Sequence, residues 1–234
     1  MNIAVVTFPG SNCDDDTVRA LHALGASVIR LWYRDRDLGG IDGVILPGGF
    51  SYGDYLRGGA LAAQAPVMEP LRHAVRERAL PVLGICNGFQ ILTEAKLLPG
   101  ALRPNRQGTF LSTWQHLRVT RASSLFWGLR EGEYLRLPIA HGEGAYYLPP
   151  GQLASLFDRG QAWLQYVSFD GQLTAAANPN GSVANLAGVI AGSVAALMPH
   201  PERAMDAALG SADGVRLLTA WLEGIRRRSR DASS

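Results

Sequence analysis

A cysteine with a glycine two positions away on each side constrains this chain more than any other feature. Residues 84–90 are Gly-Ile-Cys-Asn-Gly-Phe-Gln; an apolar run precedes them and a segment with helical spacing follows. Small residues on both sides of a nucleophile are typical of a strand-to-helix elbow, because the turn is tight and a Cβ at either position would clash. The pattern predicts that Cys86 stands at the carboxyl end of a strand and at the amino end of a helix.

This position has chemical consequences for Cys86. The positive end of the helix dipole favours negative charge on the sulfur, and the free N–H groups of the first helical turn can receive an oxyanion. The backbone N–H of Asn87 is the nearest candidate donor. The alternative is a buried cysteine that acts only as a small apolar side chain.

The rest of the chain fits a fold built around such an elbow. Short apolar segments alternate with helical ones, which indicates right-handed βαβ units and an α/β fold with a doubly wound, mostly parallel sheet flanked by helices. The predicted strands of this part are 3–8, 28–32, 43–46 and 81–85, and the predicted helices are 14–24, 59–79 (with a break near Pro66) and 88–97.

The second half predicts a smaller antiparallel extension. Residues 109–120 and 163–169 have strand patterns, and residues 188–197 predict a hairpin that turns at Ala191-Gly192. Helical spacing returns at 211–225. We therefore expect a single domain over residues 1–225 and a basic, polar tail over 226–234.

Composition excludes several classes of function. Twenty-two Lys and Arg against 20 Asp and Glu give a net charge of +2, which makes no case for a nucleic-acid or membrane-surface partner. Two cysteines form neither a disulfide framework nor a zinc set. The chain has no apolar run of 18 residues and no signal-peptide pattern, so we expect a cytoplasmic protein.

A thiol nucleophile needs a base, and His200 is the best candidate among the five histidines. It follows an apolar strand, in the segment Met-Pro-His-Pro-Glu at 198–202. In extended backbone, residues two apart project to the same side, so Glu202 can orient and charge-stabilise the His200 imidazole. The alternative is a loop histidine beside a solvated glutamate.

A glycine pair after the third predicted strand supplies a third feature. Gly48 and Gly49 begin an aromatic and polar loop that runs to Asp54, where backbone N–H groups can approach a ligand and provide a second oxyanion donor. An ordinary loop is the alternative.

Two other candidates are weaker. Cys13 is followed by three aspartates, which disfavour a thiolate. His141 and Glu143 have no third residue with metal-ligand spacing, so we expect no metal there.

Together these segments resemble the class I (triad) glutamine amidotransferases, and most closely the glutaminase subunits of phosphoribosylformylglycinamidine (FGAM) synthases. The resemblance covers residues 1 to about 225. It implies the flavodoxin-like fold of that superfamily. The segments that carry it are 8–14, 47–54, 86–90, 139–144, 178–182 and 198–203.

The resemblance also implies roles for individual residues and partners. Cys86, His200 and Glu202 are the implied catalytic residues. The implied substrate-binding and oxyanion residues are Gly48, Gly49, Phe50, Asn87 and Gln90. The substrate is L-glutamine, whose ammonia passes to a large synthetase subunit, and the third component is a small accessory subunit. The chain itself is expected to hold no cofactor, while ATP and Mg²⁺ bind to the synthetase.

Two other functions stay open at this point. Another Cys-His hydrolase or peptidase of the same superfamily is one, although such relatives usually have a histidine directly after the cysteine, where this chain has Asn87. A non-catalytic binding module is the other, although it would tolerate the loss of Cys86, His200 or Glu202, and all three are present.

Overall fold

The computed structural model describes residues 1–231 and contains a nine-stranded mixed sheet with a small second sheet beside it. The strands are β1 (Asn2–Thr7), β2 (Ser27–Trp32), β3 (Gly43–Leu46), β4 (Val82–Ile85), β5 (Ala101–Arg103), β6 (Leu111–Val119), β7 (Tyr134–His141), β8 (Ala145–Tyr147), β9 (Ala162–Val167), β10 (Leu186–Ala191) and β11 (Val194–Leu197). The helices are α1 (Asp14–Ala23), α2 (Met68–Arg78), α3 (Asn87–Glu94), α4 (Gln152–Asp158) and α5 (Asp213–Asp231).

The parallel half of the main sheet confirms the predicted α/β class. Its strand order is β2-β1-β3-β4-β11, and every neighbouring pair is parallel. This is the flavodoxin-like doubly wound order. All residues of β3, β4 and β11 are buried, as expected for strands that are covered on both faces.

The antiparallel half continues the same sheet in the order β10-β9-β6-β7. The predicted antiparallel extension is therefore confirmed for β6, β9 and β10, but β11, the second strand of the predicted hairpin, pairs parallel to β4 and belongs to the other half of the sheet. Strands β5 and β8 form a separate antiparallel pair. The β10–β11 hairpin turns one residue later than predicted. Ala191 pairs with Val194, so Gly192 and Ser193 form the turn, and Gly192 has a φ of +60°.

Four elements had no clear signal in the sequence: β5, β7, β8 and α4. The missed β7 matters most, because it ends at His141 beside the site described below. Pro138 lies inside it, and a proline argues against a strand in the centre of a sheet. At the edge of the main sheet, where β7 lies, the missing N–H of Pro138 is tolerated.

The last helix is longer than predicted. Residues 226–231 of the expected tail continue α5, and Arg228 donates a hydrogen bond to the Ala79 carbonyl at 3.2 Å. Residues 232–234 of that expected tail lie outside the described residues. The predicted break near Pro66 is present, since a short 3₁₀ turn, Ala62–Gln64, precedes α2. None of the helices within residues 1–231 combines the length and the apolar composition that a membrane span requires.

Close packing at the start of α3 predicts the effect of a single added methyl group. A Cβ on Gly88 would lie 1.9 Å from the Leu46 carbonyl oxygen, so β3 and α3 would have to separate. We expect Gly88→Ala to lower the free energy of unfolding by about 1–3 kcal/mol or more, measured by urea denaturation. Gly142→Ala is the control, because its Cβ would meet only Phe110 at 3.9 Å. Equal stability of the two variants would contradict this account of the packing.

Candidate active site

The turn between β4 and α3 holds Cys86 in a strained backbone conformation. Cys86 has φ +50° and ψ −103°, which costs a residue other than glycine about 1–3 kcal/mol. Its N–H donates to the Leu197 carbonyl at 2.8 Å, and its carbonyl accepts from the Phe89 N–H at 2.9 Å. A Cβ on Gly84 would lie 2.8 Å from the Gly88 carbonyl carbon, so both flanking glycines are sterically required. This is the elbow that the sequence predicts.

Three parallel strands deliver the main candidate residues to one edge of the sheet. Leu46 of β3 pairs with Gly84 of β4, and Leu197 of β11 pairs with Ile85, so their carboxyl ends coincide. Gly48, Cys86 and His200 follow these strands. A Cβ on Gly48 would lie 2.7 Å from His200 Cε1 and 3.4 Å from Cys86 Cβ. Gly48 therefore keeps open the space between nucleophile and base, besides any oxyanion contact by its loop.

His200 and Glu202 form a buried pair. His200 Nδ1 lies 2.6 Å from Glu202 Oε1, and the two residues are 1% and 5% exposed. The contact arises differently from the prediction: Glu202 lies in a 3₁₀ turn, Pro201–Arg203, and only His200 has extended backbone. Burial disfavours the imidazolium and is the largest single effect, but the Glu202 carboxylate and the nearby Cys86 and Cys13 sulfurs together outweigh it and raise the pKa of His200 well above 6.5. His200 Nε2 has no partner among the described residues, so it is free to exchange a proton with a thiol or a substrate.

Cys86 and His200 line a cavity of about 370 Å³. The Cys86 thiol donates to the Ala140 carbonyl at 3.7 Å, and the His200 N–H donates to the Pro138 carbonyl at 2.8 Å. Strand β7 therefore supports both residues through its backbone. Gly49 has a φ of +132° and lines the cavity together with the half-exposed Phe50.

The side-chain amides of Asn87 and Gln90 connect the loops around the cavity. Asn87 Nδ2 donates to Gln90 Oε1 at 2.7 Å, and its Oδ1 accepts from the Ser51 N–H at 3.2 Å. Gln90 Nε2 donates to the Glu143 carbonyl at 2.7 Å. Both amides hold protein groups in this state, so they position the loop and the cavity wall, and the backbone N–H of Asn87 stays the candidate oxyanion donor.

Sequence reasoning missed a pair of carboxylates in the same cavity. Asp54 and Glu143 both line it. Burial and the negative charge of Glu143 raise the pKa of Asp54 to about 6. Asn87 Nδ2 donates to Asp54 Oδ1 at 3.2 Å, and Glu143 Oε2 accepts from the Gly58 N–H at 3.2 Å. In the sequence, Asp54 was identifiable only as the end of the glycine-pair loop and Glu143 only as a neighbour of His141 in a possible metal motif.

The charge environment inferred for Cys13 was incomplete. Arg203 Nη2 donates to Cys13 Sγ at 3.0 Å, and Arg203 also pairs with Asp16. Cys13 lines the cavity, and its sulfur lies within 4.8 Å of ligand atoms of His200 and Glu202. Such a group could hold a metal ion, but His200 and Glu202 already bond to each other. Cys13 is thus a wall residue next to the base.

His141 lies at the end of β7 and also lines the cavity. Its Nδ1 is 3.0 Å from Asn105 Oδ1, and Asn105 Nδ2 donates to the carbonyls of His141 and Thr109 at 2.8 and 2.9 Å. Burial and the positive charge of His200 lower the pKa of His141 to about 4. The His141–Glu143 spacing, considered above as a metal motif, instead separates an imidazole bonded to Asn105 from a cavity carboxylate.

The depressed pKa of His141 predicts how stability responds to acid. The unfolded residue titrates near 6.5 and the native one near 4, so the unfolded chain binds more protons in that window and the unfolding free energy falls as pH is lowered. We expect His141→Gln to remove this contribution and flatten the loss between pH 6.5 and 4, measured by urea denaturation at several pH values. The difference between the two curves isolates His141 from other groups. Parallel curves would contradict the buried neutral state.

Comparison with protein families and curated proteins agrees with the geometry. The model of the CobB/CobQ-like glutamine amidotransferase domain matches residues 1–216. A protein named phosphoribosylformylglycinamidine synthase subunit PurQ, from Pyrococcus horikoshii, is 49% identical over 231 residues, which cover 97% of this chain and 100% of that protein. The protein of the same name from Thermomicrobium roseum is 53% identical over 226 residues, 95% of each chain.

Solved structures agree with the fold. A chain in the structure of PurLQS from Thermotoga maritima matches with a TM-score of 0.83 and 39% identity, covering 95% of this chain and 97% of that one. A putative GMP synthase protein from Thermoplasma acidophilum matches with a TM-score of 0.68 over 100% of this chain and 98% of that one. At 15% identity, the second match is evidence for the fold alone.

Proposed function

The chain belongs to the CobB/CobQ-like glutamine amidotransferase family, and on that premise we propose that it is the glutaminase subunit of phosphoribosylformylglycinamidine synthase, in purine biosynthesis. It hydrolyses L-glutamine to glutamate and ammonia and delivers the ammonia to an ATP-dependent synthetase subunit. The observation that carries the proposal is the 2.6 Å contact between buried His200 and Glu202, in the same cavity as a cysteine on a strained strand-to-helix turn. The peptidase and binding-module alternatives have no comparable support.

The reaction begins with Cys86. Its sulfur attacks the side-chain carbonyl carbon of glutamine, and His200 Nε2 takes the thiol proton. The oxyanion of the tetrahedral adduct is held by backbone N–H groups near Gly49 and Asn87. One such donor is worth about 10²–10³ in rate. The imidazolium then donates its proton to the amide nitrogen, the C–N bond breaks, and ammonia leaves a γ-glutamyl thioester on Cys86.

The second half-reaction reuses the same base. His200 takes a proton from water, the resulting hydroxide attacks the thioester carbon, and glutamate leaves as the Cys86 thiol is reprotonated. Glu202 keeps Nδ1 of His200 protonated and the ring aligned throughout, because it bonds that nitrogen at 2.6 Å.

The partner of this chain is a synthetase subunit. The relatives carry the name of a synthase subunit, and the solved neighbour belongs to a structure titled PurLQS. We propose that ATP and Mg²⁺ bind to the synthetase, that this chain holds no cofactor, and that a small accessory subunit completes the assembly. Two free cysteines fit our further proposal of a reducing, cytoplasmic location.

The carboxylates of the cavity suggest how the amino-acid end of glutamine is recognised. We infer that Asp54 and Glu143 hold the α-ammonium group. Two neighbouring carboxylates attract a cation, and the negative charge of Glu143 is one cause of the raised pKa of Asp54. Phe50, half exposed at the cavity, lies against the aliphatic part of the substrate in this arrangement.

Affinity labelling tests the proposed function directly. The full chain is treated with 6-diazo-5-oxo-L-norleucine, a glutamine analogue that alkylates activated thiols, alone and with its synthetase subunit. We expect one adduct, on Cys86 by peptide mass spectrometry, that excess glutamine prevents. Cys86→Ala should carry no adduct and release no ammonia from glutamine. Labelling only in the complex would mean that the partner completes the site. Labelling of Cys13 instead, or of neither cysteine under both conditions, would refute the assignment.

The Asp54 assignment predicts a pH-dependent KM. Ionised Asp54 binds the ammonium group, so the KM for glutamine should rise as pH falls through about 6. Asp54→Asn should raise KM at neutral pH by about tenfold or more and flatten its pH dependence, with a smaller effect on kcat. Steady-state kinetics between pH 5 and 8 measures both. Asp158→Asn, on the exposed face of α4, is the control. An unchanged KM in Asp54→Asn would exclude this role.

A further inference from the structure

The mechanism above gives no task to His141, a buried side chain of the cavity. His141 is 3% exposed and lines the same cavity as Cys86 and His200. Its Nε2 is fully buried and has no hydrogen-bond partner among the described residues. Such an atom costs free energy unless a ligand or water satisfies it.

The hydrogen bonds of Asn105 determine which nitrogen of His141 carries the proton. Asn105 Nδ2 donates to the carbonyls of His141 and Thr109, so its amide orientation is set, and Asn105 Oδ1 accepts from the Gly144 N–H at 3.1 Å. The same oxygen faces His141 Nδ1 at 3.0 Å, which must therefore be the protonated nitrogen. His141 Nε2 is consequently a bare acceptor. With a pKa of about 4, the ring stays neutral at the pH of the cell.

The ring is also held in place. A Cβ on Gly144 would lie 2.2 Å from Cε1 and 2.6 Å from Nε2 of His141, so the imidazole packs directly on the backbone of residue 144. Asn180 Nδ2 donates to the Gly144 carbonyl at 2.8 Å and anchors that backbone. The lone pair of His141 is therefore preorganised, as an effective transition-state contact must be.

We propose that His141 Nε2 accepts a hydrogen bond from the amide nitrogen of glutamine and positions that nitrogen for departure. The inference rests on the proposed glutaminase function, since it names a contact to the group that leaves. Glutamine brings two kinds of N–H donor to this cavity, and the α-ammonium requires charge, which Asp54 and Glu143 supply. The carboxamide nitrogen is neutral and suits a neutral acceptor.

The contact has a defined chemical effect. In the tetrahedral adduct the nitrogen has two N–H bonds and one lone pair. When one N–H donates to His141 Nε2, the lone pair can face His200, whose Nε2–H proton it takes. The C–N bond then breaks, its electron pair goes to nitrogen, and NH₃ leaves. Because its pKa of about 4 keeps the His141 ring neutral at the pH of the cell, His141 has no imidazolium proton to transfer to the departing ammonia.

Two variants separate this role from a structural one. In His141→Asn, the shorter amide can still donate to Asn105 Oδ1, but no acceptor reaches the former Nε2 position. In His141→Gln, the longer side chain can place its carbonyl oxygen near that position, while the donor to Asn105 is lost. A positioning role requires the acceptor, whereas a structural role requires the link to Asn105.

A change of leaving group supplies the decisive control. L-glutamate γ-methyl ester acylates the same cysteine and forms the same thioester, but its leaving methanol derives from an oxygen without an N–H. The measured quantity is kcat/KM, which reports the steps through acylation. The assays use the full chain with its synthetase subunit.

We expect His141→Asn to lower kcat/KM for glutamine about tenfold or more and to leave the ester within about twofold of wild type. His141→Gln should recover part of the loss with glutamine. Labelling of Cys86 by the diazoketone at the wild-type rate would show that the His141→Asn site is folded, because that reagent also has no N–H on its leaving group.

Other outcomes would overturn the inference. An equal loss of kcat/KM with both substrates would mean that His141 contacts the α-ammonium group or supports the fold, and not that it positions the amide nitrogen. Normal glutamine turnover in His141→Asn, or a greater loss in His141→Gln than in His141→Asn, would mean that the only role of His141 is its structural hydrogen bond to Asn105. Wild-type protein that hydrolyses the ester but not glutamine would refute the proposed function itself, and this inference with it.

Discussion

The left-handed backbone at Cys86 is the constraint on which the rest of the site depends. No residue other than glycine favours that conformation, so the surrounding packing must impose it. Before Cys86, strand β4 is fixed by its pairing with β3 and β11, and directly after Cys86 helix α3 begins. The same pairing aligns the carboxyl ends of these strands. It therefore places the thiol at the carboxyl edge of the sheet. It also brings the loop that begins at Gly48 and the segment that contains His200 close to the thiol. The strain at the nucleophile and the assembly of the site have one cause.

The cavity contains two imidazoles in opposite electrostatic states. His200 bonds a carboxylate through Nδ1, which favours the imidazolium and makes it a proton carrier. His141 bonds a neutral amide oxygen through Nδ1, and burial together with the charge of His200 keeps it neutral. The two imidazoles therefore have different roles, one as a base and the other as a hydrogen-bond acceptor, because their Nδ1 partners and their surroundings differ. Other enzymes assign different roles to residues of the same type in this way.

Three side-chain amides support the segments that line the cavity. Asn87, Gln90 and Asn105 each connect segments distant in sequence, and nearly all of their donors and acceptors are used within the protein. In contrast to these amides, Nε2 of His141 and Nε2 of His200 have no hydrogen-bond partner among the described residues.

The sequence alone determined the elbow and the alternation of strands and helices in the first half of the chain, because these depend on local patterns: apolar strands and flanking glycines. It also paired His200 with Glu202, but the 3₁₀ turn that makes this contact was not part of the prediction. It left out β7, since Pro138 argues against a strand unless the edge of the sheet is known, and with β7 the setting of His141. It also could not show that Arg203, 190 residues away in the chain, donates a hydrogen bond to Cys13. Only the tertiary structure decided which groups face the cavity, because burial, tautomer and charge there arise between residues far apart in the chain.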